Sequence, residues 1–386
     1  MLEEQAASFR ALFPSAPQVL ASAPGRINII GEHTDYNGGY VLPAAIHLRT
    51  HVLAARSDDD IVRVRAVNCG ETASFSLDAL SPSGKALWTD YVQGVCWALR
   101  EEGFRLGGLN LMIWGDVPLG AGLSSSAALE ISLLMALVKI FGIELPPEKL
   151  ARLGQKAEHE FPGVQCGIMD QFISVFGRKN RALFLDCETL AHEYYPLNLE
   201  KAGLVILVYD TRVRRALAAS EYNKRRREAG AALAVLRDAG AAGYKTATLD
   251  LLESVREKME TAAYKRARHV ISEDDRVKQT VEALKKDDFQ SVGRYLFQSH
   301  ESLRDDYEVS SAELDLVHDL GRDFPGCYGV RMVGAGFGGS AIALIKAPVL
   351  DDFKEKALEA SGQKGFPRPV FREIRVGEGA TAVFLD

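Results

Sequence analysis

Four side chains able to hold a polyhydroxylated ligand fall within ten residues: Arg26, Glu32, His33 and Asp35, in the run APGRINIIGEHTDYNGG. Carboxylates accept hydrogen bonds from hydroxyls, and Arg donates through a fixed fork. An apolar, strand-like stretch precedes the cluster and a Gly-Gly pair follows it, a setting that a solvated turn does not need. Two further acids stand out, Asp170 in GIMDQ and Glu158 on a helical stretch twelve residues before it. Each of these two would also serve as an ordinary cap or surface acid.

A second kind of chemistry is written in glycine. PLGAGLSSSA, residues 118–127, lies between a strand-like and a helix-like segment. Gly120 and Gly122 let backbone approach a ligand, Ser124 to Ser126 bring hydroxyls, and the free N–H groups of a helix start attract an anion. It is neither a Walker A loop, since no Gly-Lys-Ser/Thr follows, nor a dinucleotide fingerprint, since Ser replaces the third glycine. A serine-capped turn is the alternative. Residues 334–339, GAGFGG, match G-x-G-x-x-G, but SAIALIK follows with β-like alternation where a Rossmann site requires a helix. That loop reads as a hairpin that packs beside another backbone or lines a cleft.

The elements that must position these groups follow from hydrophobic spacing. Residues 19–67 read as strands, VLASAPGRINII, YVLPAAI, HVLAARS and IVRVRAV, broken by the polar loop. Helices are predicted over Trp88–Leu99, over the second half of the segment after PLGAGLSSS, and over ELPPEKLARLGQKAEHEF. ALFLDCETL and GLVILVYDTRV read as strands, and from about Ser220 to Leu320 the spacing is helical. Ser272 with Asp275 resembles a capping box and predicts a helix start there. Strands return in the last quarter. The order suggests two α+β layers that share one cleft, with a boundary near residue 200.

Composition narrows the function classes. The 386 residues carry 46 Lys and Arg against 52 Asp and Glu, so an anion site must be built locally and no nucleic acid is expected. The basic run Arg212, Arg214, Arg215 and Lys224 to Arg227 reads as a solvated helix face. His47 and His51 share a strand face without a third ligand, so no metal is expected on them. Five unpaired-looking cysteines, Cys69, Cys96, Cys166, Cys187 and Cys327, fit a reducing compartment. The start MLEEQAASFRALF has no basic, apolar leader, and Ile131 to Ile143 is interrupted by Ser132, Lys139 and Gly142, so a cytoplasmic protein with no membrane partner is expected.

Taken in order, APGRINIIGEHTDYNGG, PLGAGLSSSA, GIMDQF, SEYNKRR, SHESLRDDYEVS and GAGFGG resemble the galactokinase family of the GHMP small-molecule kinases. The resemblance implies an α+β fold of two domains with the active site between them. Residues 1–200 would form a ribosomal-S5-like domain and 201–374 a ferredoxin-like one, with a strand in 375–386 returning to the first. It implies phosphorylation of galactose by ATP with Mg²⁺, in a monomer. Sugar hydroxyls would meet Glu32, His33, Asp35, the backbone at Gly167, Asp170 and Tyr222, with Arg26 and Asp170 flanking the reacting hydroxyl. ATP phosphates would lie over Gly120, Ala121, Gly122, Leu123, Ser124, Ser125 and Ser126, with Trp88 beside the adenine and Mg²⁺ on Ser126 and Glu158. Departures from the family pattern are Ile27, Ile29, Val333 and Ser340; Val333 removes a hydroxyl next to the last glycine loop. The rivals are an N-acetylgalactosamine kinase and a non-catalytic sugar sensor.

Overall fold

The computed structural model describes residues 2–214 and 218–385, so Arg215 lies outside the described residues. The first half runs α1 (Leu2–Leu12), β1 (Val19–Asn28), β2 (Tyr40–Val41), β3 (Pro43–Arg56), β4 (Ile61–Ala66), β5 (Glu71–Ser76), α2 (Trp88–Glu101), β6 (Leu109–Gly115), α3 (Ser125–Phe141), α4 (Pro147–Glu160), α5 (Met169–Phe176), β7 (Arg181–Asp186) and β8 (His192–Pro196). The second runs β9 (Leu204–Asp210), α6 (Ala218–Asp238), α7 (Leu249–Ser254), α8 (Thr261–Leu284), α9 (Phe289–Asp305), α10 (Ala312–Asp323), β10 (Cys327–Val333), β11 (Ser340–Lys346), α11 (Leu350–Gln363), β12 (Val370–Ile374) and β13 (Thr381–Phe384).

One sheet has the order β13-β1-β3-β6-β4-β5 and a second, antiparallel throughout, the order β10-β11-β9-β12. β2, β7 and β8 form a small third sheet. β12 belongs to the second sheet, whereas β13 pairs with the edge of β1. In β4 the residues of IVRVRA alternate between half-exposed and buried, the one-wet-face pattern of its spelling. β1, flanked by β13 and β3, is instead buried along both faces, as a strand covered on both sides must be.

Three expectations change. YVLPAAI and HVLAARS are not separate strands: β3 is continuous from Pro43 to Arg56, because no turn residue lies between them. Ser272 does not start a helix; α8 runs through it, and its Oγ donates back to the carbonyls of Arg268 (2.8 Å) and His269 (3.1 Å). The basic run is not wholly solvated either. Arg225 is buried, donating to the carbonyl oxygens of Tyr307 (2.8 Å) and Glu308 (3.0 Å), and Arg214 pairs with Asp210 at 2.9 Å.

The two sheets do not merely face each other. A continuous apolar cluster takes Ile27, Leu42 and Leu123 from the first half and Val208, Val277, Val333 and Ile342 from the second. Each fully buried side chain of this kind stabilises the seam by about 1.5–3 kcal/mol. The polar loop after β1 and the two later glycine loops converge at the end of this seam.

Candidate active site

A register shift between Pro24 and Arg26 interrupts the pairing of β1 with β3, and such bulges re-aim side chains. At the bulge β1 also meets the glycine-serine loop, before its pairing with β3 resumes at Arg26: Arg26 N–H donates to Leu123 O at 3.0 Å, and a Cβ on Gly25 would lie 2.6 Å from the same oxygen. The buried Arg26 guanidinium forks onto Asp170, Nε to Oδ1 at 2.7 Å and Nη2 to Oδ2 at 2.8 Å, while Nη1 donates to Gly122 O at 2.6 Å. Burial works against the charge on Arg26, but Asp170, Glu32 and Asp35 outweigh it and raise its pKa. Asp170 sits in the first turn of α5, which Ser174 ties to β1 through a 2.9 Å bond to Pro24 O. The Ser124 hydroxyl donates to Asp170.

Arg26, Glu32, His33, Asp35, Asp170 and Tyr222 line one cavity of about 180 Å³, together with Glu158, Val164, Cys166, Met169, Gly334 and Ala335. Glu32 accepts from Asn28 Nδ2 and from the Gly334 N–H, with Arg331 Nη1 3.5 Å away. His33 holds a left-handed backbone (φ 61°). Its Nε2 lies 3.2 Å from a carbonyl oxygen, that of Ala335, which only accepts; Nε2 therefore carries the proton, and Nδ1 accepts from Tyr36 OH at 2.7 Å. Tyr307 OH, 2.9 Å away, completes the relay as donor to Tyr36. Burial and neighbouring cations push the His33 pKa down to about 3, so the ring is neutral. Burial first, then Asp170, pushes Asp35 up to about 7. Only glycine fits beside it at position 167, since a Cβ on Gly167 would lie 2.0 Å from Asp35 Oδ2. The Tyr222 ring covers the far side, 5.5 Å from His33 and 5.1 Å from Tyr36 between centroids.

The glycine-serine loop turns through three left-handed residues, Gly120 (φ 66°), Gly122 (φ 74°) and Ser124 (φ 59°), before α3 begins at Ser125. Ala121 and Leu123 are buried beneath it. The GAGFGG loop connects β10 to β11, with a Cβ on Gly334 falling 2.9 Å from Gly122 Cα, so the two loops touch backbone to backbone. The stem of Arg214 passes Gly120. Trp88 does not line the cavity; it starts α2 and donates through Nε1 to Glu71 at 2.6 Å.

Behind Asp170, Gln171 Nε2 bridges two buried carboxylates, Glu158 at 2.7 Å and Glu130 at 3.0 Å. Burial and Asp170 push Glu158 up, and burial with Glu158 pushes Glu130 up as well. Ser126 hydrogen-bonds Glu158. Among the described residues no group of three or more His, Cys, Asp or Glu is arranged to hold a metal by itself. A hydroxyl and one buried carboxylate fit a hard cation that takes its remaining oxygens from substrate phosphates, as Mg²⁺ does.

Cys166, Met169, Ala335 and Arg331 were not legible as site residues. Cys166 and Met169 flank Gly167 and Asp170, and proximity was their only signal. Arg331 had a clearer one, a lone cation inside the apolar run YGVRMV.

The GHMP kinase N-terminal and C-terminal models match residues 90–178 and 280–363, which with the fold defines a small-molecule kinase of that class. Solved structures share the architecture at low identity: a mevalonate kinase from Methanococcus jannaschii superposes with a TM-score of 0.67 at 18% identity, covering 93% of this chain and 98% of the other. The galactokinase galactose-binding signature matches residues 7–56. A Thermotoga neapolitana galactokinase is 42% identical over 94% of this chain and 99% of its own, and one from Staphylococcus carnosus 41% over 98% of each. Lactococcus lactis galactokinase complexed with galactose superposes with a TM-score of 0.93 at 35% identity, covering 98% and 99% of the two chains. The chain belongs to the galactokinase family.

Proposed function

We propose that this protein transfers the γ-phosphoryl group of ATP to the C1 hydroxyl of galactose, giving galactose 1-phosphate and ADP, the first committed step of galactose use. The observation that carries this reading is the Arg26 guanidinium, which grips Asp170 in the sugar-sized cavity and the Gly122 carbonyl of the phosphate loop at once. One rigid group thereby fixes the distance between acceptor and donor sites.

In this reading Glu32, Asp35 and Asp170 accept from sugar hydroxyls, Gly167 offers backbone, and His33 and Tyr222 wall the cavity. Asp170 takes the C1 hydroxyl proton. A carboxylate is a weak base for that group, but phosphoryl transfer is loose, and the proton leaves late, as the oxygen bonds to phosphorus. Arg26 pairs with Asp170 in a fork and offsets the growing negative charge. The amides of residues 120–126 hold the phosphates, and the adenine lies toward Trp88. Ser126 and Glu158 would hold Mg²⁺, which when bound neutralises charge on the phosphates. The domain assignment, 1–200 and 201–374 with 375–386 returning to the first, and a monomeric cytoplasmic enzyme belong to the same proposal.

Support for catalysis over a sugar sensor comes from the unbroken Ser124-Ser125-Ser126-Ala127 run at the start of α3. ADP formation measured with galactose, N-acetylgalactosamine and mevalonate tests the reading. Turnover with galactose well above both others is expected; equal or faster turnover with either one, or none with galactose, refutes it.

A further inference from the structure

Arg331 occupies the middle of β10 and is wholly buried, a costly place for a cation that the phosphoryl-transfer scheme does not use. Its guanidinium reaches across the seam into the first half. Nε donates to Ile29 O at 3.1 Å and Nη2 to Asn28 O, so it grips the chain just before the sugar loop. Nη1 has no hydrogen-bond partner and lies 3.5 Å from Glu32 Oε2. Glu32 is itself held from two other sides, by Asn28 Nδ2 and by the N–H of Gly334, which lies one strand-end beyond Arg331. The carboxylate therefore stands where β1, β10 and the GAGFGG loop meet, and Arg331 touches or adjoins each of them.

Burial pushes the Glu32 carboxyl up, and the neighbouring cations, Arg331 first, work against that shift. Of the two cations that act on Glu32, Arg331 and Arg26, the second is already committed in a fork to Asp170. Arg331 has no such competing fork, and the two main-chain carbonyls it binds fix its plane.

We propose that Arg331 is a positioning residue for sugar recognition: it holds the Glu32 carboxylate at the cavity wall and the backbone of residues 28 and 29 behind it, so that Glu32 meets a sugar hydroxyl without rearrangement. The inference rests on Glu32 being a sugar ligand, and the experiment separates the two.

The test is a cycle of Arg331→Met, Glu32→Gln and the double variant, with galactose KM, ATP KM, kcat and thermal melting read for each. Arg331→Met raises galactose KM about tenfold or more, the loss expected for a charged, buried contact, and leaves ATP KM within about twofold. In the Glu32→Gln background the same change adds little, because its target is gone. An equal rise in both KM values, or an undiminished effect in the Glu32→Gln background, overturns the positioning role. An unchanged galactose KM in Glu32→Gln itself overturns the reading of Glu32, whatever Arg331→Met does. Should the Met variant not fold, Arg331→Lys carries the test: a single ammonium cannot serve two carbonyls and a carboxylate together, so galactose KM rises severalfold, and an unchanged value overturns the proposal.

Discussion

Gly167→Ala isolates one contact of the sugar site. The backbone at 167 is not left-handed, so alanine adds no torsional strain, only a methyl group. That Cβ would lie 2.0 Å from Asp35 Oδ2, 2.2 Å from its Cγ and 2.7 Å from its Cβ. Swinging the carboxylate away does not relieve the last of these, so the main chain at 35 or 167 must move. Opening the closest contact from 2.0 Å to the 3.0 Å that real Cβ atoms respect requires a displacement of about 1 Å. Misplacement by ~1 Å at a reacting centre costs about 100-fold in rate, and overpacking costs about 1–3 kcal/mol of stability. The expected result in steady-state assays is therefore a fall in kcat/KM for galactose of about 10- to 100-fold, with ATP KM little changed and a modest drop in melting temperature. A folded Gly167→Ala enzyme with wild-type kcat/KM for galactose would falsify the placement of Asp35 against Gly167 in the working site.

Asp170→Asn is expected to lower kcat by about 100- to 10,000-fold while calorimetry still detects galactose binding; near-full turnover removes Asp170 from the base role. Asp274, buried on α8 and bonded to the Tyr40 N–H at 2.8 Å, is pushed up to about 7 by burial, so its charge burdens the fold increasingly as pH rises from about 4 to about 7. Asp274→Asn should gain on wild type by on the order of 3 kcal/mol between pH 5 and pH 8, read as the change in their urea-melt difference; melts that stay parallel contradict it. Gly230 lies inside α6, where a Cβ would meet nothing within 4 Å, so Gly230→Ala should stabilise by up to about 1 kcal/mol without altering kinetics, and a loss of stability would show that the helix is not as described.

Much of the site was legible because its chemistry is local. Glu32, His33 and Asp35 share one loop, and the strand before them is apolar, so the spacing alone brought them together. Read from spacing alone, Asp170 was only an acid near glycine, because its partner Arg26 is 144 residues away; the family resemblance, not the spacing, joined the two before the fold did. Distance along the chain likewise hid the partners of Arg331, which lie 302 and 303 residues earlier. A serine followed by an acid looks alike at a cap and inside a helix, which is why Ser272 misled: its hydroxyl bonds backward along α8, and only the neighbouring turns decide between the two. Arg225 failed for a related reason. Its charge suggested solvent, but two carbonyls at the end of α9 needed a buried donor.

The arrangement of charge also explains why a net acidic chain suits a polyanionic substrate. Around the cavity stand Glu32, Asp35, Glu158 and Asp170, with Arg26 as the only cation among its described lining residues. In the proposed reading acceptors gather on the sugar side, where hydroxyls are donors, while the phosphate side presents glycine and serine backbone at the start of α3. Asp35 and Glu158, both pushed up toward neutrality, limit the repulsion this crowding would otherwise create. Arg26 belongs to both sides, and its three bonds leave it no freedom to favour one. Phosphoryl transfer asks chiefly for alignment and charge stabilisation, so in that reading a single buried guanidinium held between Asp170 and the glycine-serine loop meets both needs without a basic surface.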